Sequence, residues 1–179
     1  MDRYSLEELF DLYYRDVYHF SLYFTNNKEE AEDITQETFM KVMKHLDSIK
    51  DPSKAKTWIL SIAKNCAIDM HRKKKVYQLI PETIGQFFKG TVEVDYDRQL
   101  IQQDEWEILQ NALLKLKPQY RNVIILRGLK ELDNKETAEV LGCSEGKVRV
   151  DYHRALKQLK EQTSAMKGGH ERYEQTKER

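Results

Sequence analysis

The sequence is poor in residues that break helices and in residues that form cross-links. It has only seven glycines and three prolines in 179 residues, and no window alternates polar and apolar residues long enough to predict a strand. The two cysteines, Cys66 and Cys143, lie far apart, and no Cys-x-x-Cys or His-x-x-x-Cys spacing surrounds either. We therefore expect no disulfide, no metal site and two small buried cysteines.

Long hydrophobic runs are also missing. The longest covers only a few residues, far short of the roughly 20 that cross a bilayer, and the acidic start at Met1-Asp2 does not look like a signal peptide. We therefore expect a cytoplasmic protein that does not insert into a membrane.

No pattern typical of an active site is visible. The five histidines are scattered, no glycine-rich phosphate loop is present, and no nucleophile lies beside an obvious base along the chain. The sequence predicts no catalytic residue, no cofactor and no enzyme.

Helical periodicity is abundant and predicts an all-α fold of two small domains joined by an acidic flexible linker. The first domain, residues 1–75, holds three helices: one from Ser5, capped with the help of Glu8, one over 28–46 and one over 56–74. Their inward residues are predicted to be Leu6, Leu9, Phe10, Tyr13, Val17, Phe20 and Phe24, then Ala31, Ile34, Phe39, Val42 and Leu46, and then Trp58, Ile62, Cys66 and Met70.

Beyond this domain the periodicity fades over residues 76–103, where acidic residues accumulate, and this segment is the predicted linker. The second domain, residues 104–162, begins with a helix near Asp104 that carries Trp106, Leu109, Leu113 and Leu116 on one face. Further helices are predicted from Pro118 to Lys130, over 134–141 and over 145–159. The tail, residues 163–179, contains Gly168-Gly169 and is predicted to be disordered.

Residues 135–159 have the spacing of a helix-turn-helix. Ala138 allows a close approach of the two helices, Gly142 permits a left-handed turn, and Val148 plugs the second helix into the first. The second helix starts after Ser144 and turns outward Gly146, Arg149, Val150, His153, Arg154 and Lys157. Such a helix fits the major groove of DNA, although an ordinary helical hairpin with a solvated cationic face remains the alternative.

Charge is distributed in blocks although the net charge is zero. Residues 1–50 are acidic, residues 51–75 hold seven basic against two acidic side chains, residues 76–105 are acidic again, and the rest is basic. This pattern suits a protein that meets a polyanion at two places. Solvated helix faces give similar blocks, so the pattern favours nucleic acid only weakly.

The second predicted helix carries the run Asp33-Ile-Thr-Gln36-Glu37-Thr-Phe39, which places Asp33, Gln36 and Glu37 on one stripe beside Phe39. Here the sequence resembles the extracytoplasmic-function sigma factors, the most compact members of the bacterial sigma-70 class. The resemblance implies that these four residues dock on a coiled coil of the RNA polymerase clamp.

The third helix adds to the resemblance. Residues 57–65 read TWILSIAKN and are followed by Ala67-Ile68-Asp69 and Arg72-Lys73-Lys74, similar to the family's promoter-melting helix. This implies contacts with the minus ten element through the residues that we call the minus ten track: Lys54, Lys56, Asn65, Arg72, Lys73 and Lys74. Lys64 adds a further charge to the same helix. Trp58 fits a base-stacking platform and a core position equally well.

Pro118-x-x-Arg121-x-Val123-Ile124 and the terminal hairpin resemble the family's second domain. The resemblance implies that the minus thirty-five element is read in duplex form by Ser144, Glu145, Gly146, Lys147, Arg149, Val150, His153, Arg154 and Lys157. Two positions depart from the family's pattern, because the family often has a polar residue where this chain has Val150 and a basic residue where it has Asp151. Val150 suits a thymine methyl group and Asp151 a cytosine amino group, but we favour an Asp151 pair with Lys147 on the same helix.

The expected function is that of an alternative sigma factor, which binds core RNA polymerase and directs initiation at particular promoters. The resemblance also implies an anti-sigma factor, often membrane-bound, that holds the protein inactive. Two other interpretations stay open. The chain could be a helix-turn-helix regulator that never docks on polymerase, or a helical adaptor that does not bind DNA.

Overall fold

The computed structural model describes residues 5–49, 51–77 and 103–177. Within these ranges the chain is helical and contains no strand, and its α-helices are α1 (Leu6–Thr25), α2 (Lys28–Lys44), α3 (Ala55–Tyr77), α4 (Gln103–Lys115), α5 (Pro118–Ile124), α6 (Asn134–Leu141) and α7 (Glu145–Lys177). Short 3-10 turns cover Leu46–Ser48 and Pro52–Lys54, and a π-helical turn, Ile125–Leu129, continues α5. None of the described helices is long and apolar enough to cross a membrane.

The start of α1 and the turn after it follow from local chemistry. The Glu8 amide donates to the Ser5 hydroxyl at 3.1 Å, and the Ser5 amide donates to the Glu8 carboxylate at 2.7 Å, so the predicted capping box is confirmed. Asn26 takes a left-handed φ of 51° and ends α1. Asn27 then caps α2 by accepting from the Glu30 amide at 3.0 Å.

Helices α1, α2 and α3 pack around one core, with Leu9, Val17, Phe20, Ile34 and Val42 fully buried. The prediction that Phe10 is buried is wrong, because its side chain is 43% exposed. A helix can turn a stripe about 100° wide toward a core. The apolar residues of α1 exceed that width, so some must lie outside it.

The helix-turn-helix forms as its spacing predicts. Asp133 and Glu136 make a second capping box at the start of α6, and Gly142 ends that helix with a left-handed φ of 65°. Val148 and Ala155 of α7 are fully buried, and Ala138 of α6 is nearly so, all in one cluster with Leu113, Leu116 and Val123.

The predicted element ends differ from the structure in three places. Helix α2 ends at Lys44, and a 3-10 turn begins at Leu46, the predicted end of the helix. Helix α3 runs on to Tyr77, into the segment predicted as linker. Residues 78–102 of that segment lie outside the described residues. The prediction that residues 163–179 are disordered is wrong as far as Lys177, where α7 ends. Lys, Glu, Gln, Ala and Met supply seven of the 15 residues from 163 to 177, and their helix propensity outweighs the glycine pair.

The two predicted domains pack directly on one another. Helix α6 lies against α3, and Ile125, Leu126, Leu132 and Val140 belong to the same buried cluster as Ile59 and Leu60 of α3. The second group of helices therefore completes a core that the first group begins.

Arg121 of α5 links these groups from within. Its side chain is 4% exposed, and its guanidinium donates to the carbonyls of Leu113 (3.0 Å), Leu114 (2.6 Å), Leu116 (3.2 Å) and, at the end of α1, Phe24 (2.8 Å). It also lies 4.8 Å from the centre of the Phe24 ring. Burial lowers the pKa of Arg121 to about 10, which leaves it charged at neutral pH.

Replacement of Arg121 by Met should destabilise the chain by about 3 kcal/mol or more, because several buried carbonyls lose their donor together. Chemical denaturation would measure this loss. Arg72→Met is the matched control, since the Arg72 side chain is 76% exposed, and it should change the free energy of unfolding by less than about 0.5 kcal/mol. Equal effects of the two changes would contradict the structural role of Arg121.

Candidate functional site

The polar stripe of α2 lies on the surface as the sequence predicts. Asp33, Gln36 and Glu37 are exposed, whereas Phe39 is 7% exposed and packs into the core beneath them. Glu37 pairs with Lys41 one turn later at 2.8 Å. The structure therefore brings the three polar members together and uses Phe39 to anchor the helix under them.

Sequence reasoning missed an apolar groove beside this stripe. The groove lies between α1 and α2, and we call it the α1–α2 groove; its apolar walls are Leu6, Phe10, Tyr14, Phe39, Met40 and Met43. Phe10 lies 4.8 Å from Phe39 and 5.0 Å from Tyr14, measured between ring centres. Met40 and Met43 are 49% and 54% exposed. The surplus of apolar residues on α1 was the available signal.

The minus ten track follows α3, and some of its side chains are exposed while others form ion pairs with neighbouring helices. Asn65, Arg72 and Lys73 are exposed, and Arg72 only approaches Asp69 at 3.7 Å. Lys74 pairs with Glu30 of α2. Tracks of this kind bind a nucleic acid backbone by charge, and the end formed by Asn65, Arg72 and Lys73 is open to it.

The other end of the track meets carboxylates. Lys54 donates to Glu139 of α6 at 3.0 Å, and the carboxylate of Glu139 also accepts from the Thr57 hydroxyl at 3.1 Å. Lys56 pairs with Asp16 of α1 at 3.6 Å. Burial lowers the pKa of Lys64, which is half-buried on the same helix.

Trp58 is partly buried and packs against the core of the first three helices. Its carbonyl accepts from the Ser61 hydroxyl at 2.7 Å. Of its two predicted roles, the structure favours the core position.

The first turns of α7 present the predicted recognition surface. The Ser144 hydroxyl accepts from the Lys147 amide at 3.3 Å and so caps the helix. The α7 residues predicted to read the minus thirty-five element are all exposed, namely Glu145, Gly146, Lys147, Arg149, Val150, His153, Arg154 and Lys157. Arg149 lies 3.9 Å from Glu145, a distance that leaves its guanidinium able to reach another partner.

Asp151 is turned away from this surface. It is 7% exposed and accepts from Lys147 one turn earlier, and this hydrogen bond raises the pKa of Lys147. The favoured interpretation of Asp151 is confirmed. This ion pair occupies the ammonium group of Lys147, so Arg149 and Arg154 are more available than Lys147 to bind an anionic partner.

The two cysteines differ in burial. Cys66 is buried, as predicted, and accepts from Lys41 at 3.3 Å; its burial raises the pKa of the thiol. Cys143 is only half-buried, because it lies in the turn between α6 and α7. Both are free thiols, and no group of three His, Cys, Asp or Glu side chains within the described ranges could hold a metal ion.

Two family models match the chain. The model of sigma-70 region 2 matches residues 9–76, and the model of sigma-70 region 4 matches residues 106–159. The first match covers the polar stripe, the minus ten track and the whole α1–α2 groove except Leu6. The second covers the helix-turn-helix.

Curated relatives span nearly the same length. RNA polymerase sigma factor YlaC of Bacillus subtilis is 34% identical over 156 residues, which cover 87% of this chain and 90% of the relative. The ECF RNA polymerase sigma factor SigM of the same organism is 35% identical over 157 residues, or 87% of this chain and 93% of the relative.

Among solved structures, the sigma factor RpoE of Bartonella quintana, in complex with the anti-sigma factor NepR, has a similar fold. Its TM-score is 0.72 at 23% identity, over 88% of this chain and 96% of RpoE. CnrH in complex with the cytosolic domain of CnrY gives a TM-score of 0.65 at 22% identity, over 89% of this chain and 88% of the matched one.

Proposed function

The chain belongs to the extracytoplasmic-function group of the sigma-70 family, and from this we propose which of its surfaces bind core RNA polymerase and which bind promoter DNA. As an alternative sigma factor it serves transcription initiation at particular promoters. Sigma factors are not enzymes by themselves. We assign polymerase binding and the minus ten element to the domain of residues 1–75, and the minus thirty-five element to the domain of residues 104–162.

The α1–α2 groove with its polar stripe is the proposed site for core polymerase. Large exposed apolar side chains grouped beside polar ones mark protein interaction surfaces, and here Phe10, Met40 and Met43 line the same groove as Asp33 and Gln36. Glu37 is exposed next to Gln36 on α2. The partner should offer an apolar ridge flanked by basic or amide groups. This juxtaposition is the observation that carries the proposal, because a DNA-binding regulator has no need of it.

The minus ten track is proposed to hold the single strand of the melted promoter. Binding of unstacked bases is favoured by a basic groove that follows the backbone, and Asn65, Arg72 and Lys73 lie exposed along α3. Lys54, Lys56 and Lys74 extend the track toward both ends. We assign Trp58 to the core and not to base stacking.

The recognition surface of α7 is proposed to enter the major groove of the minus thirty-five element. The first turns of such a helix lie near base edges, while its basic side chains reach phosphates. Arg149 and Arg154 supply the charge and Val150, which is 48% exposed, can meet a thymine methyl group. The remaining proposed contacts are Ser144, Glu145, Gly146, Lys147, His153 and Lys157.

We propose in addition that a separate anti-sigma factor holds the protein inactive. The Bartonella RpoE that shares the fold is bound to one, and the α1–α2 groove offers an apolar surface that such a partner could cover. The chain would act in the bacterial cytoplasm, where polymerase and promoters are, even if its anti-sigma factor is membrane-bound.

Glu37→Lys should weaken binding to core polymerase by about tenfold or more, because it reverses a charge in the polar stripe, and a loss of about 1.4 kcal/mol is already tenfold. Binding of duplex DNA by α7 should stay unchanged. Affinity for purified core polymerase and run-off transcription are the measurements. Glu29→Lys makes the same charge change on an exposed position of α2 outside the groove and should leave both at the wild-type level. Normal polymerase binding by Glu37→Lys would contradict the role of the polar stripe, and no binding by the wild type itself would favour a regulator that acts without polymerase.

Arg149→Ala and Arg154→Ala should each weaken binding of a minus thirty-five duplex, since each removes a cation from the recognition surface. For a phosphate contact, the slope of log affinity against log salt should fall by about 1. Lys160→Ala removes a charge from an exposed position of α7 beyond the recognition surface and should change affinity less. If the two arginine variants bound DNA as tightly as the wild type, the recognition surface would be wrong; if the wild type bound no duplex even at low salt, the chain would instead fit a helical adaptor.

A further inference from the structure

Glu139 of α6 touches the minus ten track although it belongs to the helix-turn-helix. Its two carboxylate oxygens accept from Lys54 and from Thr57, at 3.0 Å and 3.1 Å. These donors lie at the start of α3, 85 and 82 residues away along the chain. The lysine and the hydroxyl hold Glu139 lower in pKa than an ordinary glutamate. A carboxylate held by an ammonium group and a hydroxyl has the same complementarity as a backbone phosphate.

Asp16 of α1 makes a second contact of this kind. It pairs with Lys56 of the track and also with Lys130, which follows the π-helical turn of the second domain. Lys130 is nearly buried, with a side-chain exposure of 12%. Both lysines of the track at the start of α3 are therefore neutralised. Lys54 pairs with Glu139 of the second domain, and Lys56 pairs with Asp16, which the second domain also binds through Lys130.

An apolar seam holds this arrangement together. Ile59, Leu60 and Ala63 of α3 lie in one buried cluster with Ile125 and Val140 of the second domain. Exposed ion pairs stabilise little, whereas burial of each such aliphatic side chain is a larger contribution. The seam accordingly stabilises the contact between domains, and Glu139 decides what the start of the track can bind.

The rest of the track stays open. Asn65, Arg72 and Lys73 are exposed and face no carboxylate of the second domain in the described part of the chain. DNA can therefore approach this end first, while the end at Lys54 remains occupied.

We propose that the helix-turn-helix domain is a competitor of single-stranded promoter DNA for the start of α3, with Glu139 in the place that a phosphate would take. In the closed form, in which α6 lies on α3, the strand binds only the open end of the track. Binding along the whole track requires α6 to leave α3. This proposal rests on the assignment of the minus ten track to DNA made above.

The test is binding of a labelled oligothymidine to the full chain at low salt. Glu139→Ala should raise the affinity about fivefold relative to Glu161→Ala, which removes the same side chain and charge from an exposed position of α7; that factor is what an exposed ion pair is worth. In a Lys54→Ala background the gain from Glu139→Ala should shrink to that of the control, because the freed cation is then absent. Equal gains from Glu139→Ala and Glu161→Ala would overturn the proposal.

A distance measurement tests opening directly. Fluorophores on Lys44→Cys and Lys160→Cys, both at exposed positions, can be attached in a Cys143→Ala background because Cys66 is buried. Energy transfer should fall when oligothymidine binds, and full binding with unchanged transfer would contradict competition. If instead Arg72→Ala and Lys73→Ala, at the open end of the track, bound oligothymidine as the wild type does, the minus ten assignment itself would be wrong. This outcome is distinct from the two that contradict competition by Glu139.

Discussion

The buried guanidinium of Arg121 is the interaction on which the arrangement of helices depends. The last carbonyls of a helix have no partner within that helix, and Arg121 satisfies such carbonyls at the end of α4, in the turn to α5 and at the end of α1. One side chain thus fixes where α5 leaves α4 and how the second domain meets the first. The π-helical turn, α6 and α7 follow from that starting point, so the position of the recognition surface depends on it too.

Local features could be predicted from the sequence because their causes are local. The capping box at Ser5 depends on two side chains three residues apart, and the turn at Gly142 depends on one backbone conformation that other residues rarely adopt. The outward face of α7 follows from helical spacing alone. The helix of the tail, which extends to Lys177, also has a local cause, because the helix formers around the glycine pair outweigh it.

Features that depend on distant parts of the chain could not be predicted in the same way. The periodicity of α1 shows an apolar surplus, but which residues remain outside is decided by how α2 and α3 pack, and this determines that Phe10 lines the α1–α2 groove. The pairing of Lys54 with Glu139 depends on the packing of α6 against α3. Sequence spacing can place a charge on a face, but it does not say what lies opposite.

The covalent connection between α3 and α4 has a consequence for how the two domains meet. Helix α3 ends at Tyr77 and α4 begins at Gln103, and a chain of that length spans at most roughly 90 Å when fully extended. A domain tethered in this way stays within that distance of α3 after the two domains separate, so its local concentration at α3 does not fall on dilution. Contacts too weak to hold two separate molecules together therefore suffice within one chain, and a polymerase or promoter that separates the domains competes against this local concentration.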